Sequence, residues 1–228
     1  MNDFAVIFDM DGVLIDTYDA HYESWLAMTR HAGLSFSKAQ FTATFGWTTR
    51  EIIARFWDAS GYTEADIKEL DDLKEAAFRE IIAAEFPAMP GVNRLLDELH
   101  RSGFRLAVGS SGPPENVELV LERLGKRALF EGLVTATDVT RGKPDPQVFL
   151  IAARKLGVSP QRCAVVEDAP PGVEAARAAG MASVGLTSTG RTAESLAAAD
   201  LVVGSLDELS ADVFRRLIAS SQGSPSAQ

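Results

Sequence analysis

An α/β fold is the class this sequence predicts: a doubly wound parallel sheet whose first strand is followed by an all-helical insertion. Three observations predict it. From about residue 91 onward, short apolar runs alternate with helical stretches. Residues 17–88 carry helical periodicity and little strand signal. The breaker cluster Pro87-Ala88-Met89-Pro90-Gly91 separates the two textures.

Each element follows from the local pattern. Phe4-Ala5-Val6-Ile7-Phe8 reads as a buried parallel strand ended by Asp9. In the insertion, Tyr18, Tyr22, Trp25 and Thr29 share one helical face. Ser37 with Gln40 forms a capping box. Thr48 or Thr49 caps a helix over 50–59, and Thr63 opens a long amphipathic helix to about Phe86. After the breakers, helices are predicted over 91–102, 113–124, 146–156 and 172–179, each followed by glycine: Gly103, Gly125, Gly157 and Gly180. Between and after them lie strands over 104–108, 133–136, 163–166, 182–186 and 201–203, then a last helix over 206–219. The Ser-, Gly-, Pro- and Gln-rich tail over 220–228 is predicted to be disordered. Residues 1–16 and 89–228 thus form an α/β core of Rossmann-like type, and 17–88 a separate helical domain.

Composition narrows the function. With 228 residues and 46% hydrophobic content, the chain can bury a sizeable core. A formal net charge of −10 argues against nucleic acid or an anionic membrane as the main partner. The single Cys163 excludes an internal disulfide and reads as a small buried hydrophobe. Met1-Asn2-Asp3-Phe4 does not begin a secretory signal, and no apolar run approaches membrane-span length, so a cytoplasmic protein is expected. Nothing requires more than a monomer.

The polar residues at strand ends carry the chemistry. Asp9 and Asp11 follow the first strand, Ser110 and Ser111 the second, and Glu167 and Asp168 the fourth; Lys143 lies in a loop between two predicted elements. In a doubly wound sheet, ligands sit at these carboxyl ends. Carboxylates this close repel unless a cation intervenes. Mg²⁺ prefers oxygen ligands and suits such a cluster. Lys143 supplies fixed positive charge. Ser110 and the backbone N–H groups after it, at Ser111 and Gly112, lead into a helix N-terminus and suit phosphate oxygens. An Asp can attack phosphorus, and a second acid two residues on can protonate the leaving oxygen and then activate water. Each motif alone is weak; their order along one α/β chain is specific.

These residues resemble the haloacid dehalogenase superfamily, in the branch of β-phosphoglucomutase and sugar-phosphate phosphatases. Phe8-Asp9-Met10-Asp11-Gly12-Val13-Leu14-Ile15-Asp16-Thr17 is similar to the family's first motif, Val108-Gly109-Ser110-Ser111-Gly112 to its second, Gly142-Lys143-Pro144-Asp145-Pro146 to its third, and Val166-Glu167-Asp168-Ala169-Pro170-Pro171-Gly172-Val173 to its fourth. The resemblance implies that Asp9 is nucleophile and Mg²⁺ ligand. It implies that Asp11 is the acid/base and binds Mg²⁺ through its backbone carbonyl. Ser110 would bind phosphate, Lys143 neutralise the phosphoryl group, and Glu167 and Asp168 hold Mg²⁺. The insertion would be a cap domain. Dehalogenases proper lack a carboxylate at the Asp11 position, so its presence favours phosphate esters.

The resemblance extends to substrate-binding residues. Thr17 ends the first motif. His21 resembles a mutase histidine that assists acid/base chemistry, and Trp25, one turn on, reads as packing. Gly46-Trp47-Thr48-Thr49-Arg50-Glu51 resembles a cap loop that contacts substrate, with Arg50 matching a phosphate-binding arginine. The alternative for Arg50 is a helix-surface pair with Glu51 or Asp58. One departure bears on the reaction. The mutases carry Ser, Lys and Asn after the second-motif serine to grip a distal phosphate, whereas this chain has Ser111-Gly112-Pro113-Pro114. Two prolines remove two N–H donors and bring no charge. A phosphatase acting on a small phosphorylated metabolite, of the sugar-phosphate class, is therefore expected, with β-phosphoglucomutase as the alternative. An inactive phosphate-binding module and phosphonoacetaldehyde hydrolysis stand further back; the latter needs a cap lysine poised for a Schiff base, and none stands out.

Overall fold

The computed structural model describes residues 4–188 and 190–221. Along the chain come β1 (Ala5–Phe8), α1 (Tyr18–His31), α2 (Lys38–Ala43), α3 (Thr49–Phe56), α4 (Glu64–Ala84), α5 (Val92–Arg101), β2 (Arg105–Gly109) and α6 (Pro114–Arg123). There follow β3 (Phe130–Val134), α7 (Gln147–Leu156), β4 (Cys163–Glu167), α8 (Pro170–Ala178), β5 (Ala182–Leu186), β6 (Leu201–Val203) and α9 (Ala211–Ser221). The chain forms two compact units: residues up to Asp16 and from Pro87 onward, and Thr17–Phe86.

In the first unit the six strands make one parallel sheet in the order β3-β2-β1-β4-β5-β6. The winding reverses between β1 and β4, so the crevice at their carboxyl ends is the expected ligand position. Phe8 lies opposite both Val108 and Val166. That register puts the next residues of β1 and β4, Asp9 and Glu167, side by side. Side chains alternate across the sheet. Ala5, Ile7, Ala107, Cys163 and Val165 pack against Phe149, Ala152 and Leu156 of α7 and Ala175 and Ala176 of α8. Val6, Phe8, Leu106, Val108, Ala164 and Val166 point the other way and are equally buried. α5 contacts β2, and α9 contacts β4 and β5; the right-handed crossover rule for parallel strands assigns α5 and α6 to the face opposite α7 and α8.

The helical unit has a core of its own. Trp25, Met28, Phe36, Phe41, Ile52, Ile53 and Leu70 are buried together. Trp25 packs against Phe36 and Trp57, as its helical position suggests. Three capping boxes start its helices: Ser37 with Gln40, Thr48 with Glu51, and Thr63 with Asp66. Each satisfies N–H groups that a helix start leaves unpaired, an effect of about 1 kcal/mol per cap.

Several boundaries differ from the sequence expectation; α3, for one, ends at Phe56 rather than 59. β3 begins at Phe130 rather than 133, because Phe130 and Val134 both point into the core and Thr135 leaves the sheet to cap a 3₁₀ turn over Ala136–Asp138. α8 begins at Pro170 rather than 172. Prolines fit a first turn, where their missing N–H has no helical partner anyway. Leu206–Glu208 is a separate 3₁₀ turn closed by Ser205, so α9 starts at Ala211. α9 also runs through Ser220 and Ser221, whose hydroxyls donate to the carbonyls of Leu217 and Ile218. The rest of the expected disordered tail, 222–228, lies outside the described residues. Among the described residues, no helix is long and apolar enough to cross a membrane.

Cys163 is fully buried in β4 and its thiol donates to the Ser159 carbonyl. Burial pushes that thiol up to about 12. The thiolate is the reactive form, so the folded protein should leave an aromatic disulfide reagent unreacted at pH 8, with stoichiometric release only after denaturation. Rapid reaction of the folded chain would contradict this burial.

Candidate active site

β1 ends where its backbone still pairs with β4: the Asp9 N–H donates to the Val166 carbonyl at 3.0 Å. The chain then curls tightly. Leu14 N–H returns to the Met10 carbonyl and Gly12 N–H to the Ile15 carbonyl. Gly12 has φ 72°, a left-handed conformation that suits glycine. This curl sets Asp9 and Asp11 at the sheet's carboxyl edge. Glu167 is the last residue of β4 and Asp168 follows it, with Ala169 then capping α8.

Lys143 joins the two strands. Its Nζ donates to Asp9 Oδ1 and to Glu167 Oε1, each at 2.6 Å. It also lies 5.1 Å from the centre of the Phe149 ring, which packs beside Gly109. The second Glu167 oxygen accepts the N–H groups of Asp168 (3.0 Å) and Ala169 (3.1 Å). Carboxylate oxygens of Asp9, Glu167 and Asp168 lie within 4.8 Å of one another, all buried; the Asp11 side chain is not part of that group. Three buried carboxylates thus meet beside one ammonium. The Asp9 carboxyl is held well above its usual range. Burial is the main cause; Glu167, Asp11 and Asp168 add to it, and Lys143 opposes it. Burial alone would lower the Lys143 ammonium, but Asp9 and Glu167 raise it overall, so it stays charged. A buried cluster of three carboxylates offering only oxygen donors fits a hard divalent cation.

Next to it, at the end of β2, Ser110 is fully buried. Its N–H donates to the Val134 carbonyl, and its Oγ accepts the Gly112 N–H at 3.0 Å. Accepting there leaves the hydroxyl proton to donate elsewhere. Ser111 is exposed and Gly112 half-buried. Pro113 occupies the N-cap of α6 and Pro114 its first turn, so this helix start offers fewer N–H groups than most.

The substrate-binding candidates of the helical unit differ in character. Thr17 is fully buried and its hydroxyl has no hydrogen-bond partner. Such an orphan costs about 1–3 kcal/mol and calls for an explanation. Trp47 is exposed. Arg50 pairs with neither Glu51 nor Asp58; its guanidinium meets Glu64 in a two-pronged, exposed ion pair. His21 stacks on Phe78 with ring centres 4.3 Å apart. Its Nδ1 lies 3.1 Å from Nζ of Lys74, which also donates to Glu75 at 2.6 Å. Sequence reasoning missed Lys74. It is buried in line with Leu70, Phe78 and Ile82 on one face of α4, and a lysine inside an apolar stripe was the signal available.

A model of haloacid dehalogenase-like hydrolases matches residues 5–180, which span every residue of the cluster. The chain belongs to this family. It is 33% identical over 216 residues to the β-phosphoglucomutase of Bacillus subtilis, covering 92% of this chain and 93% of that one. It is 35% identical over 211 residues to the validoxylamine A 7'-phosphate phosphatase of Streptomyces hygroscopicus, covering 90% and 95%. Among solved structures, a β-phosphoglucomutase from Clostridium difficile superposes with a TM-score of 0.85 at 27% identity, covering 96% of this chain and 98% of that one.

Gly172 is what lets this dehalogenase-like cluster close. A Cβ there would stand 1.9 Å from Cδ and Oε1 of Glu167. Gly172→Ala therefore sets two effects against each other. Helix propensity alone would stabilise by about 1 kcal/mol. The clash would displace the Glu167 carboxylate from Lys143 and two N–H groups, destabilising by about 1–3 kcal/mol. Urea unfolding should show net destabilisation; a more stable Gly172→Ala protein would refute the tight approach.

Proposed function

We propose that this protein is a Mg²⁺-dependent phosphatase acting on a small phosphate ester, of the sugar-phosphate class, through an aspartyl-phosphate on Asp9. One observation carries the reading: a lysine held between buried carboxylates of adjacent strands, at the point where the sheet reverses its winding. Family membership and the two named relatives, one a phosphatase and one a mutase, support the same chemistry.

In this reading Asp9 attacks phosphorus. A new O–P bond forms as the ester P–O bond breaks, and Asp11 gives its proton to the leaving oxygen. Asp11 then takes a proton from water as that water attacks the aspartyl-phosphate, freeing phosphate and restoring Asp9. Lys143 holds the nucleophile in place and offsets charge on the phosphoryl oxygens, and Ser110 donates to one of them. Asp9, Asp168 and the Asp11 carbonyl are the candidate metal ligands. Both Glu167 oxygens already accept protein donors, which suits contact through water. Mg²⁺, when bound, would supply positive charge beside the carboxylates and the phosphoryl oxygens. Thr17, His21, Trp47 and Arg50 complete the proposal as substrate contacts, with Lys74 added beside His21.

Asp9→Asn should lower phosphate release by about 10³-fold or more, since an amide is a poor nucleophile. Chelation should silence the wild type, and Mg²⁺ should restore it. A purified protein that releases no phosphate from a broad panel of esters with Mg²⁺ would sink the reading.

The similarity to a β-phosphoglucomutase favours a second reading, transfer between sugar hydroxyls. Against it stand Pro113 and Pro114, and the Glu64 carboxylate occupying Arg50. Phosphorus NMR with β-glucose 1-phosphate and a bisphosphate primer separates the two. Free phosphate is expected; accumulation of glucose 6-phosphate would establish the mutase instead.

A further inference from the structure

Lys143 reaches the cluster from a loop that one side chain holds in shape. Gln147, the first residue of α7, folds back over the loop. Its Oε1 accepts the backbone N–H groups of Thr140 (2.8 Å) and Arg141 (2.9 Å). Its amide also lies 3.3 Å from the Thr140 hydroxyl. Its own N–H donates to Asp145 Oδ1 at 3.0 Å, and the Asp145 N–H to the Gly142 carbonyl at 3.0 Å. Asp145 pairs in turn with Arg141 at 3.1 Å. Lys143 stands in the middle of this closed ring of contacts. Its side chain is long and rotamer-rich, so aiming Nζ at two oxygens depends on where the backbone starts it.

We propose that Gln147 is a positioning residue for the reaction: it holds the backbone from which Lys143 bridges Asp9 and Glu167. The inference rests on the phosphoryl-transfer reading above. Gln147 touches no atom of the carboxylate cluster and acts only through Lys143. Thr140 and Arg141 are exposed. When Gln147 is truncated, water can take over their N–H groups. Folding should then survive while the aim of Lys143 is lost, and the rate should fall much more than the stability.

The test uses p-nitrophenyl phosphate with saturating Mg²⁺ on the wild type, Gln147→Ala and Gln147→Glu. Glutamate keeps an oxygen acceptor where alanine has none. Gln147→Ala should lose about 10- to 100-fold in kcat, the scale on which misplacement of a catalytic group acts. KM should change little and the melting temperature by only a few degrees. Gln147→Glu should recover most of kcat. An active wild type with unchanged kcat in Gln147→Ala overturns the inference alone, as does equal loss in both variants. A Gln147→Ala protein that no longer unfolds cooperatively near the wild-type temperature assigns the strap to stability and overturns it too. A wild type that is inert even to this ester overturns the phosphoryl-transfer reading, and the inference with it.

Discussion

The candidate site depends on one ammonium placed between two carboxylates of neighbouring strands. Parallel pairing of β1 and β4 brings Asp9 and Glu167 together whatever their charges. Lys143 makes that arrangement tolerable, and removing one partner from a buried ion pair typically costs about 3–5 kcal/mol. Several features of the core follow from it. Gly172 leaves room for the Glu167 carboxylate over the first turn of α8. The N–H groups of Asp168 and Ala169 hold its other oxygen. α7 supplies Phe149 beneath the ammonium and Gln147 across the loop that delivers it.

The same electrostatics suit the proposed chemistry. Three buried carboxylates converge beside one lysine, and burial, with the neighbouring carboxylates adding to it, raises the Asp9 carboxyl. A buried carboxylate cluster favours a metal ion, and a metal ion together with Lys143 favours the oxygens of a phosphoryl group. The helical unit is built differently. It has an aromatic core of its own, and its buried Lys74, in contact with the half-buried His21 and Glu75, sits in an otherwise apolar helix face.

Much of this was legible in the residues. The run from Ala5 to Phe8, the capping signals at Ser37, Thr48 and Thr63, and the glycines after the core helices are local patterns, and local sterics and hydrogen bonding decide them. The order of Asp9, Ser110, Lys143 and Glu167-Asp168 was equally readable, because each motif marks the end of a strand or a loop. The misplaced start of β3 has a tertiary cause: Phe130 becomes strand because it fills the core, and no local window shows that. The start of α8 at Pro170 was available locally, since proline fits the first turn of a helix.

What the sequence determined by itself was the alternation of elements, the helical insertion and the inventory of charged groups, since periodicity and residue type depend on near neighbours alone. Tertiary structure decided which charges meet. Lys143 and Asp9 are 134 residues apart, and Lys74 and His21 are 53 apart. Such pairs depend on strand order and helix packing, which bring together groups that no spacing along the chain relates. For that reason Lys74 and Gln147, ordinary residues in the sequence, take on meaning only where the fold sets them beside His21 and around Lys143.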